Sequence, residues 1–569
     1  MLDSLSVRLG LLGSVLASFI LLLRKLYPKP YPGIPYNEAS ARRITGDMMD
    51  FAPIIQKTNE TADALFTVTT QKLGTPIAQV LFPGFRKPII LLEDPREIED
   101  IIVRRNKEFD KGQTALDIFG PMFPRASISQ FTTPALKAQK RLWADTMSMD
   151  FLRKVAAPNI HTSTCELIEL WRLKASTTFQ NQPFNVHSDF KDAALDAIWA
   201  VIVGEEPGTI QHDIKTLEDQ LAGKACSGEA PPIGSFLKEQ VSYIMNSIAR
   251  NGNTPSPKWA QKLETYTPRY RKFRRVVKAE MHRAMKKAVD RYQSLEVARL
   301  EDDAADTCAM DLVLRRQVLQ ARRAGVPPSD PTKDENMLDE MFVLLVGGHD
   351  STANTLSWFL RYMESHPAVQ TTLRTTLRTF FPTPPTSATT ILTTDIPYLD
   401  ATCEETLRLS GTAKGGLRQA LVDTHVLGCP IPRGAEILMN FHVNRAPPGE
   451  AVEEGRRSAT SRAAGEKRGD GLRGVAGRDL GAFEPRRWLV DGEGGKERFD
   501  AAALPGLAFG GGVRGCPGRR LAMMELKIMV VMLVLNFEFL PLPEEYKSMA
   551  ATEKAFREPD FPFARMRAL

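Results

Sequence analysis

Phe509 to Gly518 read FGGGVRGCPG, a loop built largely of glycine around one arginine and one cysteine. Glycine on this scale weakens helix and strand alike, so the segment is backbone that something must approach closely. A phosphate, another stretch of chain or a flat cofactor would suit it. Gly510, Gly512 and Gly515 satisfy G-x-G-x-x-G, a helix is predicted from Arg519 to about Leu535, and Glu538 lies about twenty residues on, features of a dinucleotide site. Only 53 residues follow Cys516, too few for the strands and crossovers of a doubly wound sheet, and LPGLAF upstream is a poor buried strand. The nucleotide reading therefore ranks low.

The 569 residues are 43% hydrophobic and 25% charged, ordinary values for a globular protein. The length exceeds that at which one core usually stops growing, yet no clean linker or internal repeat divides the chain. One large, mostly helical domain is expected. The formal net charge is +6 with Lys and Arg scattered, which argues against a nucleic-acid partner and leaves room for a modest basic face toward an acidic protein. Cys165, Cys226, Cys308, Cys403, Cys429 and Cys516 lie far apart, with no C-x-x-C pair and no Cys/His cluster at zinc spacing. That is the pattern of a reduced, cytosol-facing protein, in which a lone cysteine is by default a small buried hydrophobe.

Leu9 to Leu23, LGLLGSVLASFILLL, is apolar and lies between Arg8 and Arg24. Fifteen helical residues rise about 22 Å, short of a hydrocarbon core of roughly 30 Å, but Leu2 to Tyr27 is long enough if Arg8 snorkels. Arg24 and Lys25 stand where a cleavage site needs small residues, and with Lys29 they favour a cytosolic C-terminal side. Residues 1–27 are expected to be a single membrane anchor, 28–36 a proline-rich stalk, and 37–569 the catalytic body.

Within the body, Asp339 to Glu364 predicts a long apolar helix with a polar knot, GGHDST, at its centre. QALVDTHVLGCPIPRGAEILMNFH predicts a short β-region turning at Gly428 and at Pro432–Gly434. Residues 204–257 suggest surface helices and loops broken by Gly and Pro, and 450–481, poor in apolar residues, a flexible insertion.

Phe509, Gly512, Arg514, Cys516 and Gly518 form F-x-x-G-x-R-x-C-x-G, which resembles the haem-binding loop of the cytochrome P450 family. The resemblance implies that Cys516, as thiolate at a helix entrance, ligates the iron of heme b and donates electron density that favours O–O cleavage. It implies that Phe509 packs over the sulfur and that Arg514 pairs with a haem propionate. Glu405 and Arg408 in EETLR match the family's E-x-x-R, and Arg487 in FEPRRW matches the arginine that locks onto that pair, so these three are expected to be structural. GGHDST looks like the oxygen-activation motif, with Asp350 and a hydroxyl, Ser351 or Thr352, forming a proton route. Ser351 stands where threonine is typical, and it lacks the methyl group that restricts the rotamer. Leu136 replaces a tryptophan of the pattern, Lys140 or Arg141 supplies the nearby basic contact, and Arg418 in GGLRQA matches another propionate-binding arginine.

The fold so implied is mainly α with small β-regions, carrying one N-terminal transmembrane helix. The activity implied is insertion of one oxygen atom of O2 into a lipophilic small molecule, in the style of secondary-metabolite biosynthesis. No flavin or nicotinamide domain fits in the body, so a separate NADPH-cytochrome P450 reductase is the expected donor, docking near Lys137, Lys140 and Arg141. Localisation follows as endoplasmic reticulum, single-pass, with the body in the cytosol. Substrate contacts are expected from the loop around Thr114 to Ser129, from Phe342, Leu345 and Val346, and from Ala413 to Gly416. Lys414 reads as a solvated loop lysine or a partner for a substrate carboxylate. A reductase-independent haem-thiolate isomerase or dehydratase and a non-catalytic haem binder are the alternatives.

Overall fold

The computed structural model describes residues 24–569, apart from 178, 181, 225–230, 294–305, 328–329 and 469–478, together with residues 14, 17 and 18. The apolar run from Leu9 to Leu23 lies almost wholly outside the described residues, and among those described no helix is long and apolar enough to cross a membrane. The architecture is mainly α with small sheets.

The elements that build the site are, in chain order, strands β1 (Ile77–Val80) and β2 (Ile89–Leu92), helix α1 (Pro95–Val103), strand β3 (Phe109–Lys111), and helices α2 (Gln113–Phe119), α3 (Pro134–Trp143), α4 (Ala157–Ser176), α5 (His187–Val203), α6 (Glu335–Ser365) and α7 (Pro397–Ser410). Strands β4 (Gly415–Ala420) and β5 (Glu436–Asn440) follow, then helices α8 (Ala459–Arg468) and α9 (Arg519–Asn536). Local chemistry sets several of the boundaries. Asp94, Thr133 and Asp334 cap the first-turn amides of α1, α3 and α6 with their side chains, and proline opens α1, α3 and α7. Helix α5 stops at Gly204, whose φ of 78° a side chain would disfavour.

The five strands form one sheet in the order β1-β2-β5-β4-β3. All its pairings are antiparallel except β2 with β5, where Ile89 faces Glu436. The β-region turns where expected, with φ positive at Leu427, Gly428 and Gly434. The main core is helical. It packs α4, α5, α6 and α9 around Trp171, Trp199, Phe190 and Phe359, while two smaller apolar clusters lie along the sheet.

Two expectations are corrected. Residues 233–252 form a helix that buries Leu237, Val241 and Ile244, so this region is part of the helical core. The first half of the supposed flexible insertion is folded: a short 3-10 turn at 454–456 leads into α8, and both are tied to α1 by ion pairs and hydrogen bonds.

Candidate functional site

The glycine loop does not follow a strand, as a dinucleotide site requires; a turn at Gly512–Arg514 leads straight to α9. Two hydrogen bonds fold it back on itself, Gly515 N–H to Gly512 O at 3.0 Å and Cys516 N–H to Phe509 O at 2.9 Å. Gly512 has a φ of 62°, and a Cβ there would sit 2.1 Å from the carbonyl oxygen of Ile102, so the loop lies directly against α1. Helix α9 begins at Gly518 with no side-chain cap, which leaves first-turn amides to the cysteine. Cys516 is exposed. Burial pushes the Cys516 thiol up, while the amides of Gly518 and Arg519 and the ammonium of Lys140 favour the thiolate. Phe509 is half-buried beside it, with the Arg519 guanidinium 5.8 Å from its ring centre.

Four cations gather beside the cysteine loop from four elements: Lys111 at the end of β3, Lys140 in α3, Arg418 in β4 and Arg514 in the loop. Lys111 and Arg418 are direct partners across the β3–β4 ladder. Arg514 donates to Asp110 Oδ1 at 3.1 Å and to the carbonyls of Gln130 and Ser127 at 2.5 and 3.4 Å. Lys140 donates to Val513 O at 2.9 Å, and Arg418 to the carbonyl of its neighbour Leu417 at 3.1 Å. Lys111 donates to Ile128 O. Burial, reinforced by the other three cations, lowers the Lys111 ammonium to about 7; burial and Arg514 lower Arg418 to about 10. The carboxylates acting on this cluster are Asp110, both of whose oxygens already accept from Thr132, and Glu340, which acts on Lys140 and already accepts from Ser127 and Gln139. This surplus of positive charge suits a ligand bearing two carboxylates, which is what the two propionates of haem present.

The long helix is continuous through GGHDST, and it directs the three candidate proton carriers in three directions. Asp350 turns toward α5, where Lys191 Nζ meets its Oδ1 at 3.0 Å and reaches Glu558 at 3.4 Å. Burial works against the Lys191 charge, but Asp350 and Glu558 together hold its pKa above the ordinary value. Thr352 turns toward α9 and donates to Glu525 Oε2 at 3.0 Å inside the core, so it does not share an open face with Ser351. Burial pushes the Glu525 carboxyl up to about 8. Ser351 donates to Gly347 O at 2.5 Å, one turn back on the same face, and a Cβ on Gly347 would meet nothing within 4 Å. Gly348 serves packing instead, since a Cβ there would come within 2.7 Å of Ile198 on α5. Among the described residues, His349, fully buried beside Asp350, has no hydrogen-bond partner on either ring nitrogen, and burial lowers it to about 4.

Glu405, Arg408 and Arg487 meet in a buried knot. Arg408 binds Glu405 through two bonds of 2.7 and 2.8 Å and the carbonyls of Val443 and Leu480 at 2.6 Å each. Arg487 approaches Glu405 Oε1 at 3.0 Å, and Trp488 Nε1 donates to Oε2 at 2.9 Å, a contributor that the motif reading missed.

Other candidates lie elsewhere. Arg141, one residue beyond Lys140, is exposed, as is Lys137. Lys414 is neither solvated nor open to a substrate: it is buried, with Glu60 and Asp63 on its ammonium. Phe342 is 1% exposed between Phe123 and Phe273, at 5.7 and 5.4 Å, and serves the core. Leu345 and Val346 are buried as well. Leu136, in the tryptophan position, is buried in α3. Lys111 and Glu525 were missed altogether. The first had a signal in FDKG, a cation ending a strand before a glycine.

The cytochrome P450 family model matches residues 58–445 and 481–560 of the chain. The chain belongs to that family and is a cytochrome P450 monooxygenase, an oxidoreductase whose class carries a haem held by a thiolate. It is similar over nearly its whole length to curated fungal members. Cytochrome P450 monooxygenase TRI13 of Fusarium sporotrichioides is 30% identical, with 95% of this chain and 96% of the relative aligned. Cytochrome P450 monooxygenase xilC of Penicillium rubens is 31% identical, over 95% and 93% of the two chains. GME11363 of Pestalotiopsis microspora, of the same description, is 30% identical over 99% and 98%.

Proposed function

We propose that Cys516 would hold the iron of heme b, and that the enzyme inserts one oxygen atom of O2 into a lipophilic small molecule of fungal secondary metabolism. One observation carries the assignment. A sulfur over an uncapped helix N-terminus lies beside four cations that outnumber the two carboxylates acting on them, Asp110 and Glu340. Lys111, Lys140, Arg418 and Arg514 would hold the propionates, and Phe509 would shield the sulfur from water. Bound there, haem supplies the O2 chemistry that gives one atom to the substrate and one to water. The chain's own contribution is the proton supply. Ser351 holds a hydroxyl at the open face of α6, and Asp350, kept in place by Lys191, stands one residue before it.

Electrons are supplied by a separate NADPH-cytochrome P450 reductase, for which exposed Lys137 and Arg141 offer positive charge near the cysteine side. Residues 1–27 anchor the protein in the endoplasmic reticulum with the body in the cytosol, a reading supported by the apolar run Leu9–Leu23 and the basic residues after it. The fungal relatives, one of them named for a gene cluster, support the metabolic setting.

The test is the absorption spectrum of the reduced, carbon monoxide-bound protein in membranes. A strongly red-shifted Soret band in the wild type that is lost in Cys516→Ala is expected. A red-shifted band that survives that substitution overturns the ligand assignment.

A further inference from the structure

The family model omits residues 446–480, yet the described part of this stretch is seated on α1 by a dense set of polar contacts. Arg457 forks onto Asp94 at 2.8 and 2.9 Å. Glu454 takes both terminal nitrogens of Arg96 at 2.5 and 2.9 Å. The hydroxyls of Ser458 and Thr460 donate to Asp100 Oδ2 at 2.5 and 2.8 Å. Arg96 also donates to Ser461 O at 3.0 Å, and a Cβ on Gly465 would come within 2.2 Å of that guanidinium, so α8 is shaped to admit it.

These contacts account for an anomaly in α1. Asp94, Glu97 and Asp100 are 4%, 0% and 0% exposed, and buried carboxylates persist only with partners. Arg104 and Arg105 supply part of the answer from the helix's own end, at 2.5 Å from Asp100 and 3.4 Å from Glu97. For Asp94 and Asp100 the rest comes from the insertion, and Arg457 stands 4.0 Å from Glu97. The C-terminal turn of the same helix carries the cysteine loop: Gly512 lies against Ile102 O, and a Cβ on Gly511 would be 2.9 Å from Val103 Cγ2.

We propose that segment 454–461 is a brace for the thiolate loop. By fixing α1 through Arg457, Glu454 and Ser458, it holds Gly511–Arg514, and through them Cys516, in place before the N-terminus of α9. Arg457 and Glu454 are positioning residues. The proposal rests on Cys516 being the haem ligand.

The test compares full-length wild type with Arg457→Ala, Arg457→Lys and, as a control, Lys547→Ala at an exposed pair near the C-terminus. Amide hydrogen exchange is followed in peptides covering 97–104 and 507–516, and the carbon monoxide band is timed as it moves from the thiolate to the ordinary haem position. Arg457→Ala is expected to speed both loop exchange and band conversion about tenfold, well below its unfolding temperature, with Arg457→Lys recovering most of the loss. The control should match wild type. A lowered melting temperature with loop exchange and band conversion unchanged would reduce the insertion to a local stabiliser and overturn the proposal. If Arg457→Ala yields no folded protein, Glu454→Gln and Ser458→Ala carry the same comparison. A wild type without the red-shifted band would sink the ligand assignment instead, and loop exchange would still decide whether the brace acts.

Discussion

Replacing Glu525 by glutamine should stabilise the protein, and the gain should grow with pH. Glu525 lies on α9, nine residues past Cys516, with its carboxyl fully buried and Thr352 of α6 as its hydrogen-bond partner at 3.0 Å. Burial raises its pKa from 4.5 to about 8, the Thr352 bond offsetting part of that rise. The sign follows from linkage. Below pH 4.5 both folded and unfolded chains hold the proton and no penalty exists. Between 4.5 and about 8 only the unfolded chain ionises, so stability falls with rising pH, and above 8 the loss levels off. At about 1.36 kcal/mol per unit, the penalty is about 3 kcal/mol at pH 7 and about 5 kcal/mol above pH 8. Glutamine keeps an acceptor for Thr352 and removes the titration. With unfolding entropy of about 2.1 cal/mol/K per residue, the whole chain has about 1.2 kcal/mol/K, so the variant should melt about 3 °C higher at pH 7 and about 4 °C higher above pH 8. The assay is thermal unfolding of the haem-loaded pair from pH 5 to 9. An infrared band from a protonated carboxyl, present in wild type and absent in Glu525→Gln, is the direct companion measurement. A Tm difference that stays flat across this range would refute the argument, because only a buried acid that gains a proton on folding produces the slope.

Three further outcomes are expected. Lys191→Met strands Asp350 without its cation, so product formed per O2 consumed should drop several-fold and peroxide release rise while the haem spectrum holds, with Lys191→Arg restoring coupling. Equal coupling in Lys191→Met and wild type would remove Lys191 from the proton route. Lys111→Met should speed loss of haem to a scavenging apoprotein about tenfold, the scale of one charge-assisted hydrogen bond, and an unchanged rate would take Lys111 out of the cofactor site. Glu405→Gln leaves the buried Arg408 guanidinium without its carboxylate and Arg487 with only the exposed Glu484, at a cost of about 3–5 kcal/mol, so soluble haem-loaded protein should largely disappear from expression; a normal yield with a wild-type melting temperature contradicts this.

Local signals were legible in the sequence. The cysteine loop, the i, i+3 pair Glu405–Arg408 and the long helix all announce themselves within a few residues, and α9 runs from Arg519 as its pattern predicted. Side-chain direction was not, because it depends on partners far along the chain. Lys140 and Arg141 are adjacent, but one step on a helix turns a side chain by about 100°, which sends one to the cysteine loop and the other to solvent. Lys111 reaches the site only because β3 pairs with β4, and Lys414 is buried only because Glu60 and Asp63 lie more than 350 residues upstream.

The insertion is instructive in its described part, residues 450–468. A stretch with few apolar residues reads as flexible because apolar burial is the usual means of fixing a segment. Here polar groups do the fixing, and their targets are written in α1, in DPREIEDIIVRR. Asp94, Glu97 and Asp100 recur every three residues, a spacing that by default marks a solvated face. The same spacing serves equally well for a buried polar interface when another segment supplies the partners. Apolar periodicity could not distinguish these cases, and only the seating of Arg457 and Ser458 on the carboxylates does so. The element that looked most dispensable is thereby tied, through one nine-residue helix, to the loop that carries Cys516.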